Sequence, residues 1–233
     1  MKTKFFPMLT VLLFTAFVME AASVRADERA CQICCNTNNS SPTESDKFLA
    51  KVGHPAPEFS LEAVINTATG QEFKSLNLQD FRGKWLVLFF YPSDFTSVCP
   101  TEIKGFNDSV DIFNKLNAEI LAVSTDSKWS HRAWMKSGEL GNVKYPLLSD
   151  ITKETSFRYG VLDKVAGVAL RGLFLIDPNG VIQYQVVHNM DIGRSVDETI
   201  RVLEALQTGG MCPLGWKHGQ KTLQDKTGKT ILK

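Results

Sequence analysis

Four apolar runs organise the middle of the chain. Residues 85–91 (WLVLFFY) carry no charge and are bounded by Gly83-Lys84 and Pro92, the pattern of a strand covered on both faces. Residues 119–126 (EILAVSTD) and 173–177 (LFLID) read the same way. The Asp177-Pro178-Asn179-Gly180 turn then leads into residues 181–187 (VIQYQVV), whose alternation predicts a hairpin partner for the preceding strand. Between the runs the period lengthens. Ile103, Phe106, Val110, Phe113 and Leu116 predict a helix over 100–116, and Trp129, Ala133 and Trp134 another over 127–137. A third is expected over 195–206, with Ser195 as N-cap and Glu198 completing a capping box. Strand and helix alternate, then a hairpin and a last helix follow. That order predicts an α/β protein with a central mixed β-sheet flanked by helices.

The two ends depart from this pattern. Lys2 and Lys4 precede an apolar stretch over residues 5–19, and Val24-Arg25-Ala26 offers small residues for cleavage, the layout of a signal peptide over residues 1–26. The stretch is short for a membrane span and interrupted by Pro7, Thr10 and Thr15. Export is therefore expected, whether secreted, periplasmic or into the ER lumen, with no membrane association after cleavage. A mitochondrial presequence is the alternative, against which Glu20 and the apolar block, with no Arg-rich amphipathic pattern, speak. Residues 27–50 are polar and rich in Ser and Asn, and are expected to form a flexible arm. The folded domain is expected over residues 51–208, with an extension over 209–233 that becomes a loose polar tail from Lys217 onward.

Charge adds little. The 233 residues include 26 basic and 25 acidic side chains, so a net charge of +1 gives no reason to expect nucleic acid as a partner. The cysteines change the picture. Cys31, Cys34 and Cys35 cluster in the arm, while Cys99 and Cys212 stand alone, unlike the even spread of a disulfide-stapled scaffold.

Cys99 follows a buried strand and opens a helix, where Pro100 fits because its missing N–H would have had no partner there. Free N–H groups and the positive dipole end at that position favour a thiolate. Thr96, one turn earlier, can present a hydroxyl toward the sulfur or an oxygen held beside it, and Pro92 can shield the site from water. The competing reading is a buried cysteine acting as a small hydrophobe.

The string FFYPSDFTSVCPTEI resembles the active-site motif of the typical two-cysteine peroxiredoxins, the alkyl hydroperoxide reductase C and thioredoxin peroxidase group, with Ser97 where an aromatic is usual. The resemblance continues in order from about residue 52 to 216. ALRGLFLIDPNG (169–180) resembles the segment whose arginine, here Arg171, faces the sulfur. GRSVDETIRVLEAL (193–206) resembles the late helix, and GGMCPLGW (209–216) the resolving-cysteine motif with Cys212. The resemblance implies a thioredoxin-like fold and a thiol peroxidase acting on hydrogen peroxide and small organic hydroperoxides, with no haem, metal or other cofactor. Cys99 would become a sulfenic acid, and Cys212 of a partner subunit would condense with it to an interchain disulfide reduced by a thioredoxin-like donor. The unit would be a homodimer at least, often a ring of five dimers, a decamer. Thr96 would align the peroxide, Arg171 would hold developing negative charge, and Glu102 would orient Arg171. Without the resemblance, Arg171 reads as a surface ion-pair residue, Glu102 as a first-turn acid and Cys212 as a free surface thiol.

The chain departs from the family in three places. SGELG (137–141) stands where members prone to over-oxidation carry Gly-Gly-Leu-Gly, and their terminal Tyr-Phe pair is absent, so resistance to sulfinic acid formation is expected. The CQICC cluster of the arm reads as a redox relay, three zinc ligands in want of a fourth, an intermolecular tether, or incidental thiols. Asn38, Asn39 and Asn107 begin glycosylation sequons. None of His54, His131, His188 and His218 falls in a catalytic spacing. A holdase chaperone and a thioredoxin-like disulfide oxidoreductase are the rival functions, the latter disfavoured because Cys99 lacks a CxxC partner.

Overall fold

A computed structural model describes residues 49–65 and 70–223. The signal segment, nearly all of the cysteine-bearing arm and the last ten residues lie outside them, and so do the expectations placed there. The elements in chain order are β1 (Ser60–Val64), β2 (Phe73–Asn77), a 3-10 turn (Leu78–Phe81), β3 (Trp85–Phe90), α1 (Cys99–Asp108), α2 (Val110–Lys115) and β4 (Ala118–Ser124). There follow α3 (Lys128–Lys136), β5 (Leu147–Ser149), α4 (Glu154–Arg158), β6 (Leu162–Asp163), β7 (Val168–Ala169), β8 (Arg171–Ile176), β9 (Ile182–His188) and α5 (Val196–Thr208).

Seven strands form one mixed sheet in the order β2-β1-β5-β4-β3-β8-β9. β3, β4 and β5 run parallel, and β8 joins β3 antiparallel with Val87 opposite Leu175. β9 returns antiparallel along β8, as its alternation predicts, and on its other side Ile182 exchanges backbone hydrogen bonds with Gly53 and His54 at 2.8 Å and 3.0 Å.

The charge-free run at 85–91 is explained by its place between two apolar layers. Successive side chains of a strand point to opposite faces. Val87, Phe89 and Tyr91 enter a core built with Ile103, Phe106, Phe113, Trp134 and Leu203 from α1, α2, α3 and α5. Leu86, Leu88 and Phe90 enter a second core with Leu61, Leu78, Tyr159 and Phe174. A polar residue at any of these positions would lose water on whichever face it occupied.

Four expectations are corrected in detail. The helix expected over 100–116 is interrupted at Ser109, whose N–H turns back to the Phe106 carbonyl at 3.2 Å, and α2 begins at the next residue. Val110 and Phe113 still reach the core of Phe106, so the apolar spacing survives the break. Within α3, Trp134 is fully buried while Trp129 lies outside, edge-on to Phe73 at 4.7 Å. Ser195 does cap α5 by accepting from the Glu198 N–H at 3.1 Å. The Glu198 carboxylate, however, turns to Arg201 at 2.6 Å and 2.7 Å, because a guanidinium one turn away offers two charged donors where the cap offers one neutral N–H. Finally, the segment after Lys217 is not loose as far as Leu223. Leu223 donates to the Met211 carbonyl at 2.7 Å, and the indole of buried Trp216 donates to Gln220 at 3.0 Å.

Candidate active site

Strand β3 delivers the chain through Pro92, buried, into a turn that ends at Cys99, the first residue of α1. Val98 is the N-cap and Pro100 occupies the first turn, the position where an imino acid costs no hydrogen bond. The thiol is fully buried in the core beneath β3, beside the open N–H groups of a ten-residue helix. A sulfur placed there is shielded from water and faces the positive end of the helix.

Arg171, the first residue of β8, brings a cation to it. Its Nη1 lies 3.4 Å from Cys99 Sγ and donates to Glu102 Oε2 at 2.7 Å, while its Nε donates to the Met190 carbonyl at 2.6 Å. Only 3% of the arginine is exposed, so it is no surface ion-pair residue. The antiparallel pairing of β3 with β8 is what carries it there, since the two strands are neighbours in the sheet.

Glu102 is far more than a first-turn acid. It is buried, and its two oxygens accept four hydrogen bonds, which is all that a carboxylate can take. Oε1 receives the backbone N–H of Arg194 at 2.8 Å and its Nε at 2.7 Å. Oε2 receives Arg194 Nη2 at 2.9 Å and Arg171 Nη1 at 2.7 Å. Burial pushes this carboxyl up, but the hydrogen bonds and charge of Arg194, with the charge of Arg171, outweigh it and hold the group below the usual range.

Arg194 was invisible as a functional residue in the sequence. It stands just before the Ser195 cap of a helix, where an arginine is ordinarily solvated. In the fold it is buried, lies over the Phe89 ring at 5.1 Å and donates from Nη1 to the carbonyl of Gly172. Gly172 has to be glycine at this point, because a Cβ there would collide with Val161. The only local signal is the Arg-Ser-x-x-Glu context of the cap, which does not say where the arginine goes.

Thr96 is exposed and its hydroxyl donates to the Ser93 carbonyl at 2.9 Å. Its proton is thus committed away from the sulfur, and its lone pairs are what it can offer to a substrate proton. Phe95, between the two, adopts a left-handed backbone with φ 55, which a non-glycine residue holds only when its neighbours are fixed.

Cys212 is placed apart from this cluster. It is half-buried against the end of α5, 3.7 Å from the Ala205 carbonyl and 3.5 Å from Thr208 Oγ1, and both it and Cys99 are free thiols. It lines an open cavity of about 390 Å³ together with Arg201, Leu206, Pro213 and Leu214. Of the remaining sequence features, Glu139 in the 137–141 loop accepts the Trp134 indole N–H at 2.7 Å, and Leu140 is buried. Asn107 is occupied: it donates to the Asn142 carbonyl at 3.1 Å and accepts the Lys144 N–H at 2.8 Å, so its amide is structural.

Residues 52–185 match the model of the AhpC/TSA family. The chain is 53% identical over 176 residues to the putative peroxiredoxin in rubredoxin operon of Clostridium pasteurianum, spanning 74% of this chain and 98% of that one. It is 52% identical over 185 residues to the chloroplastic 2-Cys peroxiredoxin BAS1 of Hordeum vulgare, covering 76% and 86% of the two chains. Among solved structures, the reduced 2-Cys peroxiredoxin of Plasmodium vivax superposes with a TM-score of 0.70 at 43% identity, over 74% of this chain and 92% of that one. Mycobacterium bovis AhpC superposes with a TM-score of 0.67 at 39% identity, over 72% and 99%.

Proposed function

Since the chain belongs to the AhpC/TSA family of peroxiredoxins and is a thiol peroxidase of thioredoxin-like fold, we propose that Cys99 is its peroxidatic nucleophile and Cys212 of a partner subunit its resolving thiol. The observation that carries this is the guanidinium of Arg171, held by Glu102 with Nη1 at 3.4 Å from the Cys99 sulfur. The Cys99 thiolate attacks the terminal oxygen of a hydroperoxide, the O–O bond breaks, and the departing alkoxide or hydroxide takes up a proton. Arg171 and the N-terminus of α1 stabilise charge on sulfur before the attack and on the peroxide oxygens during it. Thr96, its own proton on Ser93, accepts the hydrogen of the bound peroxide and so turns the terminal oxygen toward sulfur. Pro92 keeps water from the thiolate.

The resulting sulfenic acid condenses with a second thiol, releasing water and forming a disulfide. Within one chain Cys212 contacts Ala205 and Thr208 rather than Cys99, which favours a pairing between subunits. The place of β9 at the end of the sheet order and the exposure of Met211 and Leu214 beside Cys212 support a homodimer, with a ring of five such dimers as the larger assembly. A dithiol protein of the thioredoxin type then exchanges with the disulfide and restores both thiols.

Cys212→Ser is expected to react with its first equivalent of peroxide at the wild-type rate. It then fails to turn over with a dithiol protein and shows no disulfide dimer on a non-reducing gel. A dimer that persists without Cys212 would remove it from the mechanism. In the same samples the wild type should carry little Cys99 sulfinic acid by mass spectrometry. The loop that covers the site in sensitive members is here anchored by Glu139 to Trp134. Heavy sulfinylation at low peroxide would contradict that.

We place the enzyme outside the cytosol on the strength of residues 1–26. Sequencing the N-terminus of the protein from its own cells should find Asp27; an intact Met1 would overturn the assignment.

A further inference from the structure

His131 is a fully buried titratable group that the chemistry above does not use. It sits in α3, and both ring nitrogens are engaged. Nε2 lies 3.1 Å from the Leu148 carbonyl of β5, and Nδ1 lies 2.9 Å and 3.1 Å from the two oxygens of Asp94. A carbonyl can only accept, so Nε2 carries a proton. Nδ1 and the carboxylate then need one proton between them, and the imidazole cannot rotate without losing both bonds.

Asp94 collects further donors: the Tyr91 hydroxyl at 2.9 Å and the Ser130 hydroxyl at 2.7 Å. Burial first, and the Asp94 charge next, hold the Tyr91 phenol well above its ordinary range, so it remains a donor. Asp94 and Tyr91 are the titratable groups that face the ring, with Tyr91 Oη at 3.3 Å from Nδ1. Asp94 also lies in the loop between β3 and Cys99. Its N–H donates to Asp126 Oδ2 at 3.0 Å, and Ser93 Oγ to Asp126 Oδ1 at 3.3 Å. The next residue is Phe95 with its left-handed backbone, and after it Thr96, bonded back to the Ser93 carbonyl. The strained turn that aims Thr96 is therefore clamped at Asp94 from one side and at Ser93 from the other.

We propose that His131 is a positioning residue for peroxide reduction: through Asp94 it fixes the 93–96 turn, and with it the Thr96 oxygen that orients the peroxide over Cys99. This rests on the roles given to Cys99 and Thr96 above. It predicts a defect in peroxide orientation and none in the thiolate itself, because neither His131 nor Asp94 touches the sulfur.

The test uses the full reduced protein and two rates at Cys99: single-turnover reaction with hydrogen peroxide, and alkylation by iodoacetamide, which needs a thiolate but no oriented oxygen. In His131→Leu and Asp94→Asn the peroxide rate should fall by roughly 10- to 100-fold, the scale of a small misplacement of a reacting group. The alkylation rate and the pH of its half-maximum should stay at the wild-type values. Asp94→Asn is near-isosteric and decides the matter by itself if the leucine variant does not fold. Folded variants with both rates unchanged would overturn the inference, as would variants in which both rates fall in parallel. If instead the wild type itself reacts no faster with peroxide than an ordinary thiol does, it is the role of Cys99 that fails.

Discussion

Cys99→Ser should consume peroxide roughly ten-thousandfold more slowly than the wild type, or worse, the scale on which loss of a covalent nucleophile is felt. The substitution leaves the volume of the site almost intact. Serine keeps a group that can accept from Arg171 Nη1, so the fold and the arginine cluster should survive. What disappears is the chemistry. A serine hydroxyl is a far weaker nucleophile toward a peroxide oxygen than a cysteine sulfur, and oxygen has no counterpart of the sulfenic acid. Peroxide loss under a fixed excess of dithiol, with thermal melting of both proteins as the control for folding, decides the question. Undiminished consumption by a folded serine variant would mean that the sulfur at the start of α1 is a buried apolar group after all, and that the peroxidase chemistry resides elsewhere.

The second large effect is expected at Glu102. In Glu102→Gln one of the two oxygens becomes an NH₂ group. Whichever way the amide is turned, it points donors at donors: at Arg194 N and Nε, or at Arg171 Nη1 and Arg194 Nη2. Two guanidinium groups, with side chains only 3% and 1% exposed, are then left without a counter-charge. Removing one partner from a buried ion pair costs about 3–5 kcal/mol. For a domain of this size that corresponds to a fall in Tm of roughly 6–20 °C. The peroxide rate should fall by about a hundredfold in the same variant, because Arg171 loses the group that aims it.

The pH dependence separates this carboxylate from a packing effect. The Glu102 carboxyl is held below its usual 4.5 in the folded protein. A carboxyl depressed by folding contributes stability that is present in full above its unfolded value and is lost as pH falls through the folded one. The stability gap between wild type and Glu102→Gln should therefore be greatest at neutral pH and narrow as pH drops below 4.5. Denaturant unfolding over that range measures it, and a gap that stays constant would assign the loss to shape rather than charge.

These two residues also mark the limits of what could be read before folding. Cys99 was legible because its surroundings are local. An uncharged run that needs cover on both faces, a proline in the first helical turn and a helix N-terminus all lie within a few residues of the sulfur. The β8–β9 hairpin was legible for the same reason, with a Pro-Asn-Gly turn between alternating strands. Glu102 looked like a first-turn acid because the residues it binds lie 69 and 92 positions further along the chain. Its true environment depends on β8 lying beside β3, which no local pattern states.

The histidines make the same point from the other side. His131 lies 37 positions from Asp94, so no local spacing joins the two. The helical period of α3 puts it on the buried face with Trp134 and Met135, but periodicity reports burial, not which acceptors wait on each side of the ring. The break at Ser109 and the diversion of Glu198 to Arg201 were likewise decided by which of several available hydrogen-bond partners each group takes.

By itself, then, the chain determined its alternation of strands and helices, the covered central strand and a thiol at the mouth of a helix, since each follows from burial and backbone preference over a few residues. Only the tertiary structure decided that Glu102 takes four donors from two arginines, that His131 clamps Asp94, and that Cys212 lies away from Cys99 within its own subunit. Those are meetings of polar groups across the sheet order, and a buried charge is governed by whatever partner the fold brings to it.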